Sequence, residues 1–352
     1  MCYQKQSNMH LLVISREFPP YVAGGISYHV KNLYSKIADS GHSVTILAGR
    51  PQTIDTTDSI EISDSFDINW VDYYSLSGYH LQFPTALYNE LREFDIHDYD
   101  IALTHTEIPY DLGIPTIQKV HDAKHIERTF SRNQMGRLTK IADSALAKTR
   151  RWTTQRALDC ADGLIFNSEL TESVWKDEYR ISSPTHTVYN GVDQEIFYPR
   201  DVPNEEYVLF VGNSPRKGLP KVREFARDVS YPVYVVGDVA ESENLRAIGR
   251  VDQTELAEYY SSAVATIHPA NFEAFGNVIL ESLACGTPVV VSDQCGAAEI
   301  VVDSCGRVIG DLHEGVESVR GFDTKACIEI ANKYSWQSVA EKTLLAVGSA
   351  IL

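Results

Sequence analysis

Apolar residues fall in short clusters along this chain, and the clusters alternate between two periods. MHLLVISREF (9–18) is a nearly continuous apolar run, the pattern of a strand covered on both faces. ISYHVKNLYSKIADSG places Ile26, Val30, Leu33 and Ile37 at helical spacing and stops at Gly41. HSVTILAG (42–49) reads as the next strand. PPYVAGG (19–25) joins the first strand to the helix through a turn with two adjacent glycines. The unit is strand–helix–strand, with its glycine loop at the carboxyl end of the first strand. Open α/β sheets bind ligands at that edge.

The alternation continues. It predicts strands over 68–74, 99–105, 115–122, 163–168 and 185–191, and a helix over 84–94 with Pro84 in its first turn. A loop and then a helix to about Cys160 follow Asp122, and ELTESVWKDEY is helical. Residues 50–65 are polar and predict a variable loop. VDQEIFYPRDVPNEE (192–206) has two prolines, clustered acids and no period, which marks an interdomain linker. Strand–helix alternation then restarts at YVLFVGN, passes through CGRVIG and ends in two helices, around 324–333 and 336–347. The expected division is an N-terminal domain over 1–191, a linker over 192–206, a C-terminal domain over 207–335 and a closing helix over 336–352. The fold class is α/β, two doubly wound domains facing a cleft.

Length supports this division, because 352 residues exceed a comfortable single core. Hydrophobic content of 43% and charged content of 22% are those of a globular protein. No apolar run nears the ~18 residues of a membrane span. MCYQKQSNMH lacks the basic and apolar regions of a signal peptide, so a cytoplasmic location is expected. The six cysteines form no C-x-x-C pair and read as reduced thiols. A formal net charge of −17 argues against nucleic acid as a partner. The charge is uneven, however. Between Lys124 and Arg156 nine Lys/Arg face only Glu127 and Asp143. That basic segment, with Lys124, Arg128, Arg150 and Arg151, is expected to bind an anionic acceptor or to touch an anionic membrane from its inner face.

The densest chemistry lies in HPANFEAFGNVILESLACGTPVVVSD (268–293). Two carboxylates flank a helix start near Asn277. By residue type alone, Glu281 is either a solvent-facing helix acid or an acceptor matched to a vicinal diol. Glu273 is either a loop acid favouring the helix dipole or a ligand contact. Phe275, Gly276 and Asn277 offer backbone N–H groups where helices bind anions. Arg216-Lys217-Gly218 follows the first strand of the second half, either as a solvated turn or as a cation for a phosphate. Gly24-Gly25 lacks the spacing of G-x-G-x-x-G, which counts against a dinucleotide cofactor. Asp98-Tyr99-Asp100 mimics a metal-binding D-x-D but opens a strand, and no cluster has metal-ligand spacing. Neither a metal nor another cofactor is expected.

Read together and in order, these stretches resemble the retaining glycosyltransferases of family 4, which have the GT-B fold of two Rossmann-like domains. The resemblance rests on PPYVAGG, KVHD, ADGLIFNSE, VYNGVDQEIFYP, FVGNSPRKG, GRVDQTELAEYYSSA and EAFGNVILESLACGTPVVVSD with GAAEIV, and spans nearly the whole chain. It implies transfer of a hexose or N-acetylhexosamine from a UDP- or GDP-sugar to an acceptor hydroxyl on a glycan, a lipid-linked sugar or a small alcohol. It assigns Glu281 to the ribose, and Glu273 and His121 to the donor sugar. Arg216, Lys217, Gly25 and the backbone of Phe275, Gly276 and Asn277 go to the phosphates and sugar, and Glu299 to the donor. Asn213 departs from the family, which often has Arg there. A non-catalytic sugar- or partner-binding subunit of the same fold, or another nucleotide-sugar enzyme, is the alternative.

Overall fold

The computed structural model describes residues 8–22, 24–53, 66–75, 78–132, 135–203 and 205–351. The first half runs β1 (His10–Ser15), α1 (Gly25–Asp39), β2 (Ser43–Pro51), β3 (Asp67–Tyr73), α2 (Tyr79–Glu90), β4 (Ile101–Thr104) and β5 (Thr116–Val120). It continues through α3 (Lys124–Arg132), α4 (Arg137–Cys160), β6 (Gly163–Phe166), α5 (Glu169–Glu178) and β7 (Thr185–Thr187). Its seven strands lie in the order β3-β2-β1-β4-β5-β6-β7, every pair parallel.

The second half runs β8 (Val208–Val211), α6 (Leu219–Asp228), β9 (Val233–Val236), β10 (Leu245–Gly249), α7 (Gln253–Ser262), β11 (Ala265–His268) and α8 (Asn277–Ala284). Then come β12 (Val289–Val291), β13 (Gly306–Val308), α9 (Leu312–Val319), α10 (Thr324–Ala331) and α11 (Trp336–Ile351). This sheet is again parallel, in the order β10-β9-β8-β11-β12-β13. Strand order reverses beside β1 and β4 in one sheet, and beside β8 and β11 in the other. The crevices outside those carboxyl ends are where the topology places a ligand.

Helix α1 illustrates why the sequence folds this way. Val30, Leu33, Tyr34 and Ile37 are fully buried on its inner face, against Leu11, Val13 and Ile46 of the sheet. Each such side chain contributes about 1.5–3 kcal/mol relative to exposure. Helix α11 joins the same core rather than that of the second half. Trp336, Val339, Ala340 and Leu344 pack with α1 residues, and a Cβ at Gly191 would lie 2.7 Å from the Trp336 ring. The chain therefore passes between the domains twice, side by side, where Val192 N–H donates to Tyr334 O at 3.0 Å.

Three local expectations need correction. Helix α2 begins at Tyr79, so Pro84 lies inside it and not in its first turn. Burial of Phe83 and Leu87 outweighs the lost Pro84 donor, and Tyr110 Oη donates to Pro84 O at 2.9 Å. Helix α9 was not anticipated because Gly315 interrupts its pattern. A Cβ there would meet Val290 Cγ1 at 2.4 Å, so glycine permits the helix to seat directly on β12. The basic segment forms two helices, α3 and α4, rather than a loop and one helix. The expected loop at 50–65 lies largely outside the described residues; β2 extends through its first two positions.

Candidate active site in the interdomain cleft

The C-terminal wall is built on the turn between β11 and α8. Gly276 adopts φ +98°, a left-handed conformation open to glycine, and it turns the chain into α8. Among the described residues no side chain caps α8 and no acid sits in its first turn, which leaves the Asn277 and Val278 N–H groups uncapped by side chains. The Phe275 side chain is not at the surface; it is buried and tilts against Tyr189 at 6.1 Å between ring centroids. Only its backbone can serve a ligand.

Glu273 sits among cations. Its Oε2 accepts from Arg216 Nη1 at 3.1 Å and lies 3.8 Å from His268 Nε2. Burial pushes its pKa up. The His268 contact and the charges of Lys217 and Arg216 overcome this and hold it down at about 2, while burial lowers the pKa of His268 itself and keeps that ring from acting as a full charge. Glu281 is different. Burial raises its pKa, against a hydrogen bond from Tyr260 Oη at 2.9 Å and the charge of Lys217. Lys217 thus acts on both carboxylates, with its stem packed beside Gly212. Gly218, at φ +95°, lets that loop pass under Pro269, whose carbonyl would be 2.2 Å from any Cβ.

The N-terminal wall faces it. A Cβ added at Gly25 would lie 3.8 Å from Asn277 Nδ2, so the starts of α1 and α8 oppose each other across the cleft. Glu17, absent from the sequence-based candidates, accepts from Gly24 N at 2.9 Å and Ser27 Oγ at 3.0 Å. It fixes the entry to α1. His121 follows β5 and meets two further histidines that the sequence did not single out. His105 Nδ1 lies 2.7 Å from His121 Nε2, and Tyr34 Oη lies 2.7 Å from His105 Nε2. The His29 ring packs on His121 with centroids 4.7 Å apart. Burial lowers the pKa of all three, His105 to about 3, and lowers that of the neighbouring Lys119 to about 7.

Several bonds tie the walls together. Ser168 Oγ and Thr171 Oγ1 both donate to Ala274 O, at 2.6 and 2.9 Å. Asn190 Nδ2 donates to Asn277 Oδ1 at 2.9 Å. Arg216 reaches Glu127 of α3 at 3.6 Å. Glu299 does not stand free at the cleft. Its two oxygens accept from Glu169 N and Leu170 N at 2.9 and 2.8 Å, at the start of α5. Asp100 of the D-Y-D triplet accepts from His10 N at 2.7 Å, a strand-edge contact.

Beside the N-terminal wall lies a cavity of about 380 Å³ between α3, α4 and α5. Lys124, Arg128, Arg132, Lys148, Arg150 and Arg151 line it, with Glu107, Asp143 and Glu178 and the rings of Tyr79, Trp175 and Tyr179. Lys124 pairs with Glu107 at 3.2 Å, and Arg128 and Arg150 share Asp143 at 3.2 and 2.8 Å. Arg151 pairs with Glu178. The lining keeps a surplus of cations. On α4, Ile141, Leu146 and Trp152 are exposed. No helix among the described residues is long and apolar enough to cross a membrane.

Residues 23–196 match the family model described as Glycosyltransferase Family 4, and residues 199–311 match Glycosyl transferases group 1. A glycogen synthase of Mycobacterium tuberculosis is 25% identical over 340 residues, covering 81% of this chain and 78% of that protein. D-inositol 3-phosphate glycosyltransferase 2 of Catenulispora acidiphila is 26% identical over 329 residues, covering 77% and 74%. The phosphatidyl-myo-inositol mannosyltransferase of Mycolicibacterium smegmatis is 27% identical over 300 residues, covering 77% and 73%. Among solved structures, the sucrose-phosphate synthase of Thermosynechococcus elongatus superposes with a TM-score of 0.76 at 19% identity, over 97% of this chain and 99% of that one. Anabaena HepE in complex with UDP-glucose gives 0.70 at 16% identity, over 97% and 100%.

Proposed function

The chain belongs to the family 4 glycosyltransferases of the GT-B fold, and from that premise we propose a retaining, metal-independent hexosyltransferase that uses a UDP- or GDP-sugar. The observation that carries this reading is the pair of opposed helix starts, Gly25 and Asn277, with Glu273, Lys217 and Glu281 beside them. Two dipoles and a lysine converge where a diphosphate would sit.

In this reading Glu281 accepts from both ribose hydroxyls, which replaces water lost on burial. Lys217, with Arg216, offsets charge growing on the leaving nucleoside diphosphate. Glu273 remains ionised at any working pH, and it accepts from a sugar hydroxyl and steadies positive charge at the anomeric carbon. His121, neutral at pH 7, acts by hydrogen bonding rather than as a general acid. The acceptor oxygen bonds to the anomeric carbon on the face that the diphosphate leaves. The C–O bond to diphosphate breaks, and the acceptor's proton passes to the leaving phosphate. Glu299 contributes to the donor site by holding α5 closed over it.

The acceptor is read as an anionic alcohol held in the basic cavity by Arg132, Lys148 and their neighbours. Relatives named for inositol phosphate and phosphatidyl-inositol acceptors support that class. Exposed Ile141 and Trp152 amid the cations of α4 suit peripheral contact with an anionic membrane. The protein is then cytoplasmic and works at the inner face. Flotation on vesicles with and without anionic lipid tests the contact, and equal recovery in both refutes it. For the reaction, UDP-, GDP- and ADP-sugars are incubated with phosphorylated and neutral alcohols in EDTA, and the product anomer is read by NMR. A retained α-linkage on a phosphorylated alcohol is expected. A β-product or a strict need for divalent metal contradicts the mechanism.

A further inference from the structure

The three histidines of the N-terminal wall come from three elements, His29 from α1, His105 from the end of β4 and His121 from the end of β5. One ring nitrogen of each lies within 4.8 Å of the others. Neither nitrogen of His29 has a hydrogen-bond partner, although the ring is 3% exposed. Buried polar atoms without partners cost about 1–3 kcal/mol each, so the arrangement calls for a ligand. His105 is already oriented as a ligating histidine would be. Tyr34 Oη holds its Nε2, which turns Nδ1 toward His121 Nε2 at 2.7 Å. Two such nitrogens facing each other share either a proton or a metal ion. A cavity of about 10 Å³, lined in part by His105, His121 and Gln118, adjoins them. That is on the order of one water molecule, room for an ion or for its water ligand.

We propose that His29, His105 and His121 form a three-histidine site for a zinc-class divalent ion, with a fourth position for water in the adjoining cavity, and that occupancy switches the enzyme off. Imidazole nitrogens suit zinc and its neighbours, at ~2.0–2.1 Å. Side-chain shifts of about half an ångström open the 2.7 Å pair to the spacing that such bonds require. Tyr34 supplies the outer hydrogen bond that ligating histidines characteristically have. The inhibitory effect rests on the reading of His121 as a donor-sugar contact, because an ion on its Nε2, the nitrogen facing His105, brings positive charge beside the anomeric carbon. The site itself does not depend on that reading. Lys119 opposes the ion, since its charge acts on all three rings, and its Nζ donates to Val188 O at 3.2 Å. This opposition suits reversible occupancy.

The test uses the full chain, stripped with chelator and without donor, so its failure is separate from failure of glycosyl transfer. Zinc titration by calorimetry should give one equivalent, and X-ray absorption of that zinc should show a nitrogen shell with imidazole scattering. A sulfur shell at ~2.3 Å would place zinc on cysteines and overturn the proposal. So would an absence of stoichiometric binding. His29→Phe keeps the ring packing, removes both nitrogens and should weaken zinc at least ~100-fold. Tyr34→Phe, which leaves the ligands in place, should weaken it ~10–100-fold. Lys119→Met should tighten it. Unchanged affinity in folded His29→Phe and Tyr34→Phe contradicts the assignment.

Discussion

Both sheets run in the same order around their switch points, and both present a helix start to the cleft, α1 at Gly25 and α8 at Asn277. The side chains beside those helices differ in kind. Next to α8 stand Glu273 and Glu281, with Lys217 acting on both. Next to α1 stand three imidazoles and a lysine whose charged forms burial disfavours. The α8 wall carries charge, whereas the α1 wall, Glu17 apart, carries groups whose charged forms burial disfavours. The fold supplies equal geometry, and burial decides which wall can neutralise a leaving diphosphate and which responds to acid.

The comparison breaks most visibly at Lys217. If the C-terminal wall carries the charge, Lys217→Ala should lower kcat/KM by ~10²–10³, as the loss of one transition-state charge contact does elsewhere. Steady-state kinetics check this, and Lys217→Arg should restore part of the rate. His121→Ala should cost less, because a neutral imidazole contributes a hydrogen bond and no charge.

The next effect is in pH. His29, His105 and His121 have depressed pKa values in the folded state, so the unfolded chain binds more protons below its ordinary histidine value of about 6.5. Stability is fully present above that value and is lost as pH falls toward the folded values, by ~1.4 kcal/mol per pH unit for each group. Glu273 is also depressed, to about 2, but it contributes above the carboxylate range and is lost only below about pH 4.5. Burial depresses His268 of the second domain as well, so between pH 6.5 and 5 the first domain, with three such histidines against one, should weaken more steeply. Amide exchange in β1, β4 and β5 should accelerate more over that interval than in β8, β11 and β12, where His268 is the one depressed histidine among the described residues. Equal acceleration in both sheets would remove the distinction.

The smallest effect concerns the bonds between the walls. Glu299→Gln weakens the cap on α5 by about 1 kcal/mol. It should raise KM more than it lowers kcat, because closure is impaired rather than chemistry. A melting curve with and without donor reads it.

The sequence carried the architecture well where one element made one signal. Ile26, Val30, Leu33 and Ile37 marked α1, and Glu273 with Glu281 marked the α8 turn, because period and spacing are local. It failed where tertiary contact overrode local preference. Pro84 suggested a helix start, but burial of Phe83 and Leu87 drew α2 back to Tyr79. Gly315 concealed α9 because its use is contact with Val290. The histidine cluster was illegible for a related reason. His29, His105 and His121 are ordinary strand-end and helix residues until the order of β1, β4 and β5 brings them together. Nor does any local signal pair Arg216 with Glu127, or Glu299 with the start of α5.

In the proposed function the C-terminal wall holds a nucleoside diphosphate through Glu281. Calorimetric titration of UDP, GDP and ADP in EDTA, into the native chain and into Glu281→Ala, tests it most directly. One preferred base is expected, and a loss in the variant of ~10–100-fold, the size of a charge-assisted hydrogen bond. Undiminished binding by Glu281→Ala, or no binding of any nucleotide by the native chain, would contradict it.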